Sequence, residues 1–234
     1  MADPKWFTAL NRDILACDRG PRLHRHCKKI AREKRAAFRD QIYHGAPVPN
    51  FGDPRARLLV LGLAPGAHGA NRTGRMFTGD RSGDFLYRAM HEAGFANQPI
   101  ATDARDGLRL MDAMITAVAH CAPPDNKPTR TEIAACADYL GRTFAGLPEL
   151  RAVLCLGRLA FGRTVAYLRG EEPSFAVRQS DFRHGAVFHG SHPVILCSYH
   201  PSQQNTFTGR LTHVMLRDVF VEASHIVRLE GPAK

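Results

Sequence analysis

Apolar residues in this chain follow two kinds of pattern. Residues 57–63, 113–119, 152–156 and 193–198 are short continuous apolar runs, and polar segments rich in Gly, Pro or His follow the first, second and fourth. Runs of this length without alternation suit strands buried on both faces, as in parallel sheets. Between them apolar residues recur at helical spacing, as do Phe85, Leu86 and Met90 in the helix predicted over 83–93. Further helices are predicted over 5–17, 21–40, 131–144, 159–168 and 211–227. Pro21 suits a first helical position, and Thr131 with Glu132 suits the start of its helix. Residues 43–54 are rich in Pro and Gly and read as a loop. Strands alternating with helices indicate an α/β fold: a three-layer α/β/α arrangement around a central, mainly parallel four-stranded sheet. Ligands gather beyond the carboxyl ends of such strands. The segments 64–82, 120–128 and 199–210 are therefore expected to meet at one cleft.

The length of 234 residues suits one domain, with N-terminal helices over 1–50 and a catalytic core over 55–228. No apolar run reaches the ~18 residues that span a bilayer. The opening Met-Ala-Asp-Pro-Lys-Trp lacks the pattern of a signal peptide. A cytoplasmic, nucleoid-associated monomer with no membrane partner is expected. Charge sharpens the picture. Lys and Arg number 32 against 22 acids, a formal net charge of +10, with basic residues bunched over 19–39. A basic face attracts a polyanion, although a solvated helix face on a basic protein would look the same.

The segment 62–84 is the richest in candidate chemistry. Its glycines let backbone approach a ligand closely, and Phe77 among them suits stacking on a planar base. It lacks the Gly-Lys-Ser/Thr ending of a phosphate loop. A long structured surface loop is the plain alternative, but long loops in compact domains are usually functional.

These strings carry a resemblance. Gly62-Leu63-Ala64-Pro65, Asn71-Arg72-Thr73-Gly74-Arg75 and Phe77-Thr78-Gly79-Asp80 resemble the first motif of the family 5 uracil-DNA glycosylases, of the uracil-DNA glycosylase superfamily. Pro47-Val48-Pro49 with Phe51-Gly52-Asp53, the string 121–128, and His200-Pro201-Ser202 with the residues to Thr212 are similar to further motifs. The likeness runs from about Cys17 to Leu216. It implies hydrolysis of the N-glycosidic bond of uracil, and of hypoxanthine and xanthine, in double-stranded DNA, without lyase activity, as the first step of base excision repair. A downstream abasic endonuclease is the implied partner.

Breaking that bond leaves positive charge on the sugar and negative charge on the departing base, and both need stabilising. Related families place an acid where this chain has Leu63 and Ala64. The resemblance assigns the missing carboxylate to Asp80, which would orient water and support the cationic sugar. Its plain alternative is a helix cap. His200 is the implied donor to the base's carbonyl oxygen, against an ordinary surface or core histidine. Phe77 is the implied stacking partner, against a core aromatic. Asn126 is the implied reader of the base edge, whose amide both donates and accepts, against a turn residue beside Pro128. Gly62, Ala64 and Asn71 complete the implied base pocket, with His68 ranked lower. Arg72, Arg75, Ser202, Gln203, Gln204, Asn205 and Arg210 are the implied DNA contacts, with 203–210 as the loop that enters the duplex where the base leaves.

Six cysteines are present. Cys155 and Cys197 sit in apolar strand runs and read as small core residues. The family resemblance implies a structural 4Fe–4S cluster on four thiolates. Cys17, Cys121 and Cys136 match three of the ligands, but Gly20 stands where the family has the other. Cys27 lies seven residues further on, roughly 10 Å along a helix. It is the favoured fourth ligand, with His24, His26, a three-cysteine site or no cluster as the other options.

A lesion-binding protein that does not cut, or one that traps abasic DNA covalently, is the rival reading. The presence of Asp80, Asn126 and His200 argues against the first, and the missing Arg-rich insertion after Asp80 argues against the second. An enzyme acting on free bases fits the charge of +10 poorly.

Overall fold

The computed structural model describes residues 3–228. In chain order the helices and strands are α1 (Lys5–Leu15), α2 (Pro21–Glu33), β1 (Phe51–Gly52), β2 (Leu58–Gly62), α3 (Ala70–Thr73), α4 (Arg81–Glu92), β3 (Ala113–Ala117), α5 (Arg130–Ala145), β4 (Ala152–Leu156), α6 (Arg158–Glu171), β5 (Val187–Phe188), β6 (Val194–Ser198), α7 (Gln203–Phe207) and α8 (His213–Arg228). The four apolar runs form the parallel centre of one sheet, ordered β1-β3-β2-β4-β6-β5. The sheet has six strands rather than the four expected. The antiparallel edges β1 and β5 have two residues each, too few for any period to show.

Alternation along each central strand divides the core into two layers. Leu58, Val60, Ile115, Leu154 and Leu196 pack with Leu86 and Met90 of α4 and Phe220 of α8. Leu59, Leu61, Met114, Val153 and Ile195 pack with Ile133 and Phe144 of α5 and Phe161 of α6. Cys155 and Cys197 belong to this second layer, as expected, and burial pushes both thiols up. Residues of α1 join the same side. Arg142 donates to Asp13 at 2.7 Å, and Trp6 lies so close to Gly146 that a Cβ there would collide with the indole.

Several boundaries move from their expected places. α2 stops at Glu33 instead of 40, because Lys34 takes φ +53 and a 3-10 turn follows over Ala36–Phe38. A left-handed residue cannot continue a helix. α5 is capped by Thr129 rather than Thr131. The Thr129 hydroxyl accepts from the Glu132 N–H, and the Glu132 carboxylate accepts from the Thr129 N–H, a capping box. The segment 203–210, expected as loop, contains α7, whose start Ser202 caps by accepting from the Asn205 N–H. No helix among the described residues is long and apolar enough to cross a membrane.

The chain runs from β2 to β3 on one side of the sheet, then returns to β4 on the other side of β2. Strand order reverses at β2, which opens a crevice beyond its carboxyl end.

Candidate active site

Gly62 ends β2 beneath the ring of Phe77. A Cβ at Gly62 would sit 2.9 Å from the Phe77 ring, so the missing side chain makes room for the aromatic. Phe77 itself holds φ +51, a left-handed conformation that costs a bulky residue ~1–3 kcal/mol. Its neighbours fix it there. The Tyr87 hydroxyl donates to Met76 O at 2.7 Å, and the Thr78 hydroxyl donates to the same oxygen at 3.1 Å. Strain held this firmly presents one ring face at a chosen angle.

That ring meets His200, with ring centres 5.8 Å apart and planes tilted by 31°. His200 follows β6, and Asn205 donates from Nδ2 to its carbonyl at 2.8 Å. Gly157, just past β4, faces the His200 Cβ; its φ of +97, rather than lack of space, is what favours glycine there, since an added Cβ would lie 3.5 Å away at ordinary contact distance. Burial holds the imidazole down to about 4, so it is neutral near pH 7.

Asp80 lies at the other side of this loop. One carboxylate oxygen accepts from the Gly83 N–H at 3.0 Å and caps α4. The other lies against Gly66 and Gly69, and a Cβ on Gly69 would collide with it. Burial raises its pKa; the Gly83 and Ser82 N–H groups and the charge of Arg72 work against that rise, and Asp84 adds to it. Arg81, the next residue, lays its guanidinium 4.9 Å from the centre of the Phe207 ring on α7. Segments 64–82 and 199–210 therefore meet twice, at Phe77–His200 and at Arg81–Phe207. Phe207 is 65% exposed, and nothing in its polar surroundings in the sequence marks it out.

Segment 120–128 joins from the neighbouring strand. The backbone continues the pairing past β3, with Val118 N–H donating to Gly62 O and Ala119 N–H to Leu63 O, both at 3.0 Å. Asn126 is exposed in a 3-10 turn with φ +56, and it forms no side-chain hydrogen bond among the described residues. Asn71 is fully buried instead. Its amide donates to Ala67 O at 3.3 Å and Cys27 O at 3.4 Å, while its Oδ1 has no partner. Asn71 thus ties the pocket loop to α2. Ala64 packs against the cluster of Leu10, Ile14, Ala119, Cys136 and Tyr139, as Cys17 does. The His68 ring hydrogen-bonds to the Tyr43 hydroxyl at 3.1 Å.

Two expected DNA contacts need correction. Arg72 spends its guanidinium inside the molecule, donating to His68 O, Gln41 Oε1 and Gly79 O. Arg75 forms a two-pronged pair with Asp106 at 2.8 and 2.7 Å and donates to Thr78 Oγ1. Both are buried and shape the loop instead of facing a phosphate. Ser202 and Asn205 are occupied as the α7 cap and as a brace for His200. Gln203, Gln204 and Arg210 are exposed, and Arg210 sits 4.5 Å over the ring of Tyr199.

Four cysteines gather beneath this end of the sheet: Cys17 just past α1, Cys27 within α2, Cys121 beyond β3 and Cys136 in α5. Cys27 and Cys121 are buried in one small cluster with Leu23 and Ala122, and Cys27 donates to Ala122 O at 3.7 Å. The Cys121 thiol is pushed far up, first by Cys27, then by burial and by Cys136 and Cys17. Cys121 lies within electrostatic reach of the other three, and Cys136 within reach of Cys17. Among the described residues, no three His, Cys, Asp or Glu side chains are spaced to hold a single metal ion.

A family model described as the uracil DNA glycosylase superfamily matches residues 49–223. A type-5 uracil-DNA glycosylase of Mycobacterium leprae is 49% identical over 93% of this chain and 94% of its own. One from Thermus thermophilus is 47% identical over 92% and 96%. A type-4 uracil-DNA glycosylase of Archaeoglobus fulgidus is 33% identical over 48% and 49%.

Proposed function

This chain belongs to the uracil-DNA glycosylase superfamily, and on that premise we propose that it removes uracil, hypoxanthine and xanthine from double-stranded DNA. It is a uracil-DNA glycosylase, a hydrolase of N-glycosyl bonds. The observation that carries the reading is the Phe77–His200 pair over Gly62, with the Asp80 carboxylate on the same loop. A base turned out of the duplex stacks on the Phe77 ring. The neutral His200 donates its N–H to the carbonyl oxygen where negative charge gathers as the bond breaks. The Asp80 carboxylate favours the cationic sugar and orients the water that adds to it. The water's hydroxyl ends on the sugar carbon, and its proton balances the departing base. Asn126 reads the base edge, its amide offering both a donor and an acceptor.

Turning out a base costs a few kcal/mol, least at a mismatch. Gln203, Gln204 and Arg210, exposed around α7, offset that cost on the DNA side. The protein acts as a monomer in the cytoplasm, on the nucleoid, and leaves an abasic site for an endonuclease to process.

The cysteine group fits a structural 4Fe–4S cluster. A single ion needs its donors to converge on one point, which these do not. A cluster offers a separate iron to each of four thiolates. His24 Nε2 and His120 Nε2, three residues before Cys27 and next to Cys121, are buried without partners. Cys17, Cys121 and Cys136 are three of the ligands. Such a cluster would supply cross-linking between α1, α5 and the end of β3, not redox chemistry.

The test of substrate range is single-turnover excision from duplexes carrying uracil, hypoxanthine or xanthine, and from uracil in a single strand. All three duplexes should release free base. Release of uracil alone, or only from the single strand, would confine the activity to the narrower reading.

A further inference from the structure

We infer that Cys27, carried on α2 a full seven residues past Gly20, supplies the remaining thiolate of the iron–sulfur cluster, an assignment that rests on the cluster reading above. Position 20 has no side chain to offer, and it caps α2 through backbone alone. A Cβ there would meet only the Leu23 side chain, at 3.8 Å. The loop before α2 therefore provides Cys17 and nothing else. The helix itself provides the missing sulfur. Leu23 and Cys27 are four residues apart and share one face. That face lies against Cys121 and Ala122, and both residues are almost fully buried.

α2 is otherwise strongly basic, with Arg22, Arg25, Lys28, Lys29 and Arg32 around the rest of its surface. Its inward stripe is thus narrow, and a sulfur sits in the middle of it. Two anchors hold this register. Arg22 clamps Glu132 of α5 through two bonds at 2.7 and 2.8 Å. Asn71 donates to Cys27 O at 3.4 Å. His24 is the competing donor on the same helix, because its Nε2 is buried and unpaired. Cys27 is preferred because it is buried in the same cluster as Cys121 and Ala122, with its Sγ 3.7 Å from Ala122 O. An all-thiolate set is also the usual demand of such a cluster.

The experiment uses the full chain purified without oxygen, as wild type, Cys27→Ala, and Cys155→Ala as a core-cysteine control. Iron and sulfide per chain, absorbance near ~400 nm and electron paramagnetic resonance are measured. Wild type and Cys155→Ala should carry about four irons. Cys27→Ala should lose roughly a quarter or more of that iron and either show a three-iron signal or bleach. Iron and spectrum unchanged in Cys27→Ala would overturn the assignment while leaving the cluster in place. An iron-free wild type would instead overturn the cluster reading, and this inference with it. Should Cys27→Ala fail to fold, the wild-type protein decides the matter. Pulsed resonance of the reduced cluster should show no nitrogen coupled to iron, and a coupled imidazole nitrogen would give the position to His24.

Discussion

Asp80 uses one carboxylate for two purposes, and the two can be separated by substitution. As a cap it accepts from the Gly83 N–H, and as a catalytic group it needs negative charge. Asp80→Asn keeps an acceptor and removes the charge. Its melting temperature should stay close to wild type, while single-turnover excision falls roughly 100-fold or more. Asp80→Ala should lose the same activity and also about 1 kcal/mol of stability. An Asn variant that excises at the wild-type rate would reduce Asp80 to a cap. His200 offers a pH test. Its folded pKa of about 4 lies below the ordinary 6.5. The unfolded chain therefore binds the extra proton first as pH falls, and stability drops between about 6.5 and about 4. Urea midpoints across that window should fall more steeply for wild type than for His200→Asn, by up to ~1.4 kcal/mol per pH unit. Parallel slopes would mean the imidazole is protonated in the fold. At this scale, motif position named Phe77 and His200, and the structure brings their rings together. Arg72 and Arg75 were misjudged because a charge in a sequence does not show its partner. Asp106, which takes up Arg75, lies 31 residues away.

The elements that build the crevice differ in how plainly the sequence announced them. Central strands are buried on both faces, so their apolar runs are unbroken and legible. β1 and β5 are two-residue edges, and α7 is a five-residue helix in a polar string; none is long enough to show a period. α4 was legible as a helix, yet what positions it came from tertiary contacts. The loop ahead of it is clamped by Arg75 and Asp106, whose side chains are 6% and 9% exposed. Asp106 also accepts from the Thr102 and Leu108 N–H groups, and its carboxyl is held down to about 2. Arg75→Ala strands this carboxylate and should cost about 3–5 kcal/mol in chemical denaturation. DNA affinity of the folded fraction should hold, because the guanidinium faces inward. A stable Arg75→Ala protein with weakened DNA binding would return Arg75 to the DNA surface.

For the whole molecule, segments 64–82 and 199–210, far apart in sequence, meet at the Phe77–His200 and Arg81–Phe207 contacts. That meeting of two segments was foreseeable from the alternation of strands and helices. The thiol group was only half foreseeable, since the contact of Cys27 with Cys121 depends on how α2 lies across the end of β3. The charge of +10 acts at this scale too. Duplex affinity should fall with salt, and Arg210→Ala should flatten the log–log slope by about 1 if Arg210 meets a phosphate. An unchanged slope would leave Arg210 as the cover of Tyr199 alone. The most direct test of the account is a duplex labelled at one uracil, mixed with excess protein and followed for free base. Uracil should be released one-for-one with alkali-labile sites by the wild type, and far more slowly by Asp80→Asn and His200→Asn. Intact duplex, or a protein–DNA adduct that survives denaturation, would contradict it.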